Sequence, residues 1–285
     1  MNTKHILSLI ASPLLLVSSL SAQVNFSGID WFTGLDPIDY PLDVSGGSMT
    51  SDLPSNASAT IVGYFAPAGS PISIGVGQAM RLEYTISYSG TVLSNGGMRV
   101  GLFNTDMTPG ARITDDGFGL THASFSGTPN PRGAATWHDN MTEDGAINIR
   151  RRNTSSSSNI VNSASQYSAA NAVTSGNTLS EAIVANREYH TVFEIWNDGL
   201  NDNRFVARQW YMDGIDEVVI YDIVFDSQSD LTYANSFDTV VFRLIRNGDS
   251  FTVSDLSISV IPEPATWALI LGLGGMGVVL LRRRR

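Results

Sequence analysis

The chain has 285 residues, of which 27 are acidic, 17 are basic and none is cysteine. Between residues 23 and 261, 26 acidic residues oppose 12 arginines, a net charge of −14, and the one lysine of the chain, Lys4, lies outside this segment. So acidic a surface repels nucleic acids, which are therefore excluded as partners. The absence of cysteine excludes disulfide bonds, cysteine nucleophiles and cysteine-based zinc sites.

Residues 1–22 have the pattern of a secretory signal peptide. The lysine precedes an apolar stretch at 6–17, and the small residues Ser19, Ser21 and Ala22 follow it. Because signal peptidase recognises this order of features, we predict a helical signal segment that is cleaved after Ala22. Cleavage after Ser21 is the alternative. An uncleaved N-terminal anchor would need a longer apolar stretch.

Short alternating segments follow along most of the chain. Apolar and polar residues alternate strictly over 80–88, which is typical of a β-strand with one buried face. Further apolar runs, bounded by Gly, Asn, Asp or Pro, predict strands over 59–65, 98–103, 179–184, 189–196, 204–212, 217–225, 237–246 and 251–261. In the last run the apolar phase switches, which predicts a β-bulge near Ser254 and Asp255. Sustained helical periodicity is lacking, so we expect little helix.

This many short strands and turns in about 240 residues predicts a mostly β fold. We expect one domain over 23–261, an antiparallel two-sheet β-sandwich of jelly-roll type. The Ser- and Asn-rich stretch 153–180 is interpreted as a long surface loop, with a domain boundary there as the alternative. The run Met-Arg-Val-Gly-Leu-Phe-Asn at 98–104 follows a long alternating strand and precedes an aromatic-rich hairpin, an order that resembles the concanavalin A-like lectin and glucanase sandwiches.

Signals for catalysis are weak, and we predict no catalytic and no metal-binding residue. The three histidines after residue 23 are isolated, and no nucleophile-elbow or nucleotide-binding fingerprint occurs. Retaining glucanases of the lectin-like sandwich carry Glu-x-Asp-x-x-Glu on one strand. The nearest segment here, Glu194 to Asp198, lacks the alternating Asp and the second Glu. A polysaccharide hydrolase that uses Glu194 stays the alternative to a non-catalytic protein.

Three aromatic residues offer a candidate carbohydrate site. Trp196, Trp210 and Tyr211 bracket the turn at 197–203, and exposed rings of this kind stack on sugars. The alternative is that they fill the core. Asp and Asn side chains in the same turn suit Ca²⁺, but their spacing departs from the calcium-loop pattern, so we expect no cofactor.

The C-terminal tail has three parts in a fixed order. Pro262, Glu263 and Pro264 come first, and an uncharged apolar run over 265–281 follows. As a helix this run is roughly 25 Å long, which is close to the thickness of a membrane core, so we predict a single transmembrane helix. Four arginines close the chain and should stay in the cytoplasm, which leaves the preceding domain on the far side. These arginines are Arg282, Arg283, Arg284 and Arg285.

This tail resembles the PEP-CTERM sorting signal of Gram-negative bacteria, over residues 262–285. The resemblance implies recognition by an exosortase, a membrane transpeptidase-like enzyme, and release or transfer to the cell surface or the exopolysaccharide matrix. Because Pro262 and Pro264 both disfavour helix, we expect an extended, accessible segment just outside the membrane. The sequence thus predicts an exported, inner-membrane-anchored precursor of a surface or matrix protein with a structural or carbohydrate-associated body. Its expected partners are signal peptidase, exosortase and exopolysaccharide.

Overall fold

The computed structural model describes residues 23–36, 42–52, 58–90, 92, 97–105, 112–116, 132–138, 140–151, 177–199, 202–226, 234–245 and 250–263. The predicted signal peptide with Ala22, nearly all of the predicted loop, and the tail from Pro264 to Arg285 lie outside these residues. Within the described segments the helical structure is a single 3₁₀ turn, Phe26–Gly28. No helix there has the length and apolar character needed to cross a membrane.

The described part of the chain forms seventeen β-strands. They are β1 Gln23–Asn25, β2 Asp30–Asp36, β3 Leu42–Ser45, β4 Ser48–Asp52, β5 Ser58–Tyr64, β6 Ile72–Ser73, β7 Gln78–Ser89, β8 Gly97–Asn104, β9 Arg132–His138, β10 Ala146–Arg151, β11 Asn177–Thr178, β12 Glu188–Gly199, β13 Asp202–Asp213, β14 Asp216–Asp226, β15 Ser236–Phe237, β16 Thr239–Ile245 and β17 Ser250–Pro262.

Two large sheets contain nearly all of these strands. The larger sheet has the order β14-β13-β12-β7-β17-β4-β3, with β1 also paired to β17. The smaller sheet has the order β11-β10-β9-β8-β16-β5-β2, and β15 pairs with β6 apart from both. Every pairing between the described strands is antiparallel. The non-consecutive neighbours show that the chain crosses repeatedly from one sheet to the other.

The inner faces of the two sheets form one core. On β7, Leu82, Tyr84 and Ile86 point inward because successive side chains of a strand alternate in direction. The ring of Tyr84 meets that of Phe242 from the other sheet edge-on, with centroids 5.3 Å apart. Burial of apolar surface between the sheets is the main favourable term in such a fold. The predicted antiparallel two-sheet sandwich is confirmed.

The bulge predicted in the last strand is also confirmed. The pairing of β17 with β7 shifts register between Ser254 and Ser257, and Asp255 has a positive φ of 51°. One extra residue here lets Val253 and Leu256 both face the core. The bulge thereby fixes which residues at the end of β17 lie opposite the start of β7.

Some predictions of strands were wrong. Residues 179–184 are irregular, and their backbone bonds to another loop, since the N–H of Ile183 donates to the carbonyl of Met141 at 2.9 Å. Asp238 interrupts the predicted strand 237–246. Sequence patterns also missed several strands, because their short or polar runs gain their order from neighbours in the sheet. The missed strands are β1, β2, β3, β4, β6, β9, β10 and β11.

Candidate functional site at the end of the C-terminal strand

The last strand carries the Pro-Glu-Pro segment into the larger sheet. Pro262 is the final residue of β17 and lies opposite Gln78, and the N–H of Glu263 donates to the carbonyl of Gly77 at 2.7 Å. A proline fits here because, among the described residues, β1 on the other side of β17 pairs with Ser257–Ser259 and does not reach Pro262. Pro262 and Glu263 are therefore extended, as expected, but they are bound to the sandwich. The segment expected to be freely accessible is thus partly held.

The side chain of Glu263 reaches a second strand. Its Oε1 lies 3.7 Å from Nη2 of Arg204 on β13, and Nε of Arg204 lies 3.4 Å from Oδ2 of Asp198. The side chains are partly exposed, 47% for Glu263 and 25% for Arg204. Ion pairs in such surroundings contribute at most about 1 kcal/mol each. Arg204 thus joins the end of β12 to the end of β17 by weak contacts.

Arg204 also covers the first of the candidate aromatic residues. Its guanidinium lies 4.6 Å from the ring centroid of Trp196, which is only 4% exposed. The indole Nε1 of Trp196 donates to Oε2 of Glu194 at 2.7 Å. The alternation of β12 puts both side chains on the outer face of the larger sheet. In this arrangement the ring of Trp196 is not free to stack on a sugar.

Glu194 is enclosed on this face. Its Oε1 lies 3.5 Å from Nη1 of Arg81, which also pairs with Glu83. Burial raises the pKa of Glu194, while the hydrogen bond from Trp196 and the charge of Arg81 oppose that rise. Both carboxylate oxygens are thus engaged by side chains of the protein.

A cavity of about 400 Å³ opens where these elements meet, lined by Val76, Gly77, Asp198, Arg204 and Glu263. Gly77 has a positive φ of 74°, and a Cβ added there would lie 3.8 Å from Oε2 of Glu263. The space beside Gly77 would thus accept a Cβ, and it is the positive φ of the turn that favours glycine here. Arg204 and Gly77 were not singled out from the sequence, since no local pattern connects them to residue 263.

Residues 260–285 match the family model described as the PEP-CTERM protein-sorting motif. The chain carries a PEP-CTERM sorting motif. The match covers the tail, including the two residues, Pro262 and Glu263, that the sandwich holds. The resemblance drawn from the sequence is thereby confirmed, and the sorting motif begins inside the folded sheet.

Solved structures with a similar arrangement include lectins. Lectin I-B4 from Griffonia simplicifolia is 12% identical, with 82% of this chain and 94% of that chain covered and a TM-score of 0.44. Lectin II from Ulex europaeus is 11% identical, with 85% and 98% covered and a TM-score of 0.44. A legume lectin-like domain from Entamoeba histolytica is 12% identical, with 82% and 89% covered and a TM-score of 0.43. No curated protein sequence matches the chain.

The other two candidate aromatic residues lie apart from the sorting motif and on opposite faces. Trp210 is half-buried on the outer face, stacked on His190 with centroids 5.6 Å apart, and Arg208 lies 5.1 Å from its ring. Tyr211 is 7% exposed and packs in the core, edge-on to Tyr189. Six residues along β13 separate Trp210 from Arg204, roughly 20 Å. The three aromatic residues therefore form no common site.

A metal site is not evident among the described residues, where no group of three or more potential ligands comes together. Asp198, a candidate calcium ligand from the sequence, pairs with Arg204. Asn203 donates to the carbonyls of Trp196 and Ala234 and accepts from the N–H of Ala234, so it ties the hairpin to a neighbouring loop. Asp198 and Asn203 thus have structural partners.

Proposed function

We propose that the protein is exported, is held as a precursor by its C-terminal tail, and is processed by an exosortase to reach the cell surface or extracellular matrix. The match of residues 260–285 to the sorting motif is the observation that carries this proposal. The signal-peptide pattern of 1–22 supports export, and the four terminal arginines support a tail that stays cytoplasmic.

The intact mass of the exported protein tests this proposal. The full chain is expressed in one host that contains the exosortase and in the same host without it. With the enzyme we expect loss of the tail, and without it a chain that ends at Arg285. A full-length C-terminus in both hosts would contradict the proposal. Removal of Arg282–Arg285 should also alter the topology of a reporter fusion, because the positive charges set the orientation.

We propose a structural or carbohydrate-associated role, without catalysis, for the sandwich. The pair formed by Trp210 and His190 supports it, because the ring of Trp210 is half-buried on the outer face, and the side chain of Arg208 that lies over it is 36% exposed and would have to move aside for a sugar ring to stack. Binding of the exported protein to a panel of polysaccharides tests it. Trp210→Ala should weaken binding by up to about tenfold. Val224→Ala is the control, because Val224 is 62% exposed in the same sheet without such a pair. Equal binding by both variants would contradict the site.

The alternative is a polysaccharide hydrolase that uses Glu194. The enclosure of Glu194 supports the non-catalytic reading, because one oxygen accepts from Trp196, the other faces Arg81, and the residue is 8% exposed. A general acid needs a proton-transfer path to its substrate. Release of reducing sugar from the same panel, abolished by Glu194→Gln, would establish the alternative. Absence of such release is expected.

A further inference from the structure

Three contacts bind the start of the sorting motif to the sandwich. Pro262 lies in register with Gln78, the N–H of Glu263 donates to the carbonyl of Gly77 at 2.7 Å, and Oε1 of Glu263 lies 3.7 Å from Nη2 of Arg204. The partners come from the turn before β7, from the first residue of β7 and from β13. The body therefore engages both the backbone and the side chain of the motif.

Arg204 and Gly77 are also held by contacts that do not involve the tail. The guanidinium of Arg204 lies over the ring of Trp196, 4.6 Å from its centroid, and its Nε lies 3.4 Å from Oδ2 of Asp198. Gly77 takes the positive φ that its turn requires, and its own N–H donates to the carbonyl of Asn197 at 2.8 Å. The carbonyl and the guanidinium are thus held in place for Glu263.

The linker between the folded sheet and the predicted membrane segment is short. The apolar run begins at residue 265, so Pro264 alone separates Glu263 from the predicted membrane segment. Processing breaks one peptide bond of the tail, passes the acyl group on its N-terminal side to water or to an acceptor amine, and releases the C-terminal fragment with a free amino group. An enzyme that binds the motif therefore competes with Gly77 and Arg204 for the same backbone and carboxylate.

We propose that Gly77 and Arg204 form a latch that withholds the sorting motif, and that the exosortase acts on the unlatched tail. This inference rests on the proposed function. Arg204 is a positioning residue, since it acts through Glu263. The latch regulates the rate of processing and does not block it, because an exposed ion pair changes an equilibrium by up to about fivefold.

Processing rates of charge variants test the latch. Full-length Arg204→Gln, Arg204→Lys, Arg208→Gln and the wild-type chain are followed by mass in a host with the exosortase. Arg208 is the matched control, because it lies on the same strand and face, covers a tryptophan and pairs with Glu217 and Asp222, away from Glu263. We expect R204Q to be processed up to about fivefold faster than the wild-type chain. R204K, which keeps the charge, and R208Q should both be processed at the wild-type rate.

Hydrogen exchange on the purified full-length precursor gives a readout that does not need the enzyme. R204Q should speed exchange at the amide of Glu263, which donates to Gly77, and leave β14 unchanged. Unaltered exchange at this amide, or processing of R204Q at or below the wild-type rate, would overturn the latch. Equal rates for R204K and R204Q would overturn the role of the charge. If the wild-type chain is not processed at all, the proposed function fails instead.

Discussion

The imidazole of His138 on β9 and the phenol of Tyr221 on β14 connect the two sheets across the core. Nε2 of His138 lies 3.2 Å from the hydroxyl of Tyr221, and the rings meet edge-on, with centroids 5.1 Å apart. Both residues are buried. Burial lowers the pKa of His138 to about 4 and raises that of Tyr221. A titratable group thus lies buried between the two sheets.

This pair predicts that acid weakens the fold. The unfolded chain binds a proton at His138 near pH 6.5, whereas the folded chain does so only near pH 4, so stability falls as the pH drops through this window. The loss should reach about 3 kcal/mol at pH 4. Unfolding by urea between pH 8 and pH 4 measures it. His138→Asn should remove this part of the pH dependence.

Tyr221→Phe serves as the matched variant for that experiment. It removes the hydroxyl near His138 but keeps the titrating imidazole. We expect a loss of about 1–2 kcal/mol at every pH, because a buried polar group loses its partner. The slope with pH should persist. A flat profile for Tyr221→Phe would show that burial of His138 is not its cause.

Asp238 should be among the most sensitive positions in the fold. This residue is 1% exposed, accepts hydrogen bonds from the N–H and hydroxyl of Thr105 and from the hydroxyl of Thr239, and lies 3.2 Å from Arg112. Asp238→Ala leaves several buried donors without their acceptor and the half-buried guanidinium of Arg112 without its carboxylate, which costs about 3–5 kcal/mol.

The control for Asp238 is another aspartate that pairs with an arginine. Asp222 is 53% exposed and lies 3.6 Å from Arg208. Asp222→Ala should lower the free energy of unfolding by less than about 1 kcal/mol, since exposed ion pairs contribute little. Urea unfolding of both variants checks the difference. Similar losses for the two would contradict the structural role of Asp238.

Gly133 should not tolerate a side chain. Its φ is +152°, and a Cβ there would collide with the carbonyl oxygen of Leu102 and lie 2.8 Å from the Cα of Phe103. Gly133→Ala should cost more than about 3 kcal/mol, because the backbone of β8 must move. Gly214→Ala is the control, with a positive φ of 66° but nothing within 4 Å. It should cost about 1 kcal/mol, and thermal unfolding of both variants distinguishes clash from backbone strain alone.

The hydrogen bond between Trp196 and Glu194 should appear as an energetic coupling. Trp196→Phe removes the donor to a buried carboxylate, which costs about 1.5–3 kcal/mol. Glu194→Gln removes the negative charge of the group that accepts the hydrogen bond from Trp196. A double-mutant cycle of urea unfolding should give a coupling of at least about 1 kcal/mol. Additive losses would mean that the indole stabilises only by packing beneath Arg204.

Two of the strands that the sequence predicted correctly are long and central in their sheet. Long alternating runs such as 80–88 and 189–196 became β7 and β12, which lie in the middle of the larger sheet. The phase switch near Ser254 correctly marked the bulge of β17. The run at 179–184 has a similar composition yet stays irregular. Its apolar residues Leu179 and Ile183 enter the core from a loop, which a local pattern cannot distinguish from a strand.

The sequence predicted the residues that the tail contributes to the candidate site, but not their partners in the sandwich. Pro262 and Glu263 stand out through their order with the apolar run and the arginines. Arg204 and Gly77, their partners, have no local signal, since cross-strand neighbours depend on the register of the whole sheet. The aromatic candidates show the same limit, because pairing on β13 puts Trp210 on the outer face and Tyr211 in the core.

By itself the sequence determined the class of the fold and the presence of a sorting motif, because alternation along a strand and the three-part tail depend on residues adjacent in the chain. Only the tertiary structure decided that this motif begins within the sheet, held by Gly77 and Arg204. Those contacts join residues 77, 204 and 263, far apart in sequence. They come together because the bulge in β17 and the order of the strands determine which residues lie opposite one another in the sheet. A local sequence pattern holds no information about that register.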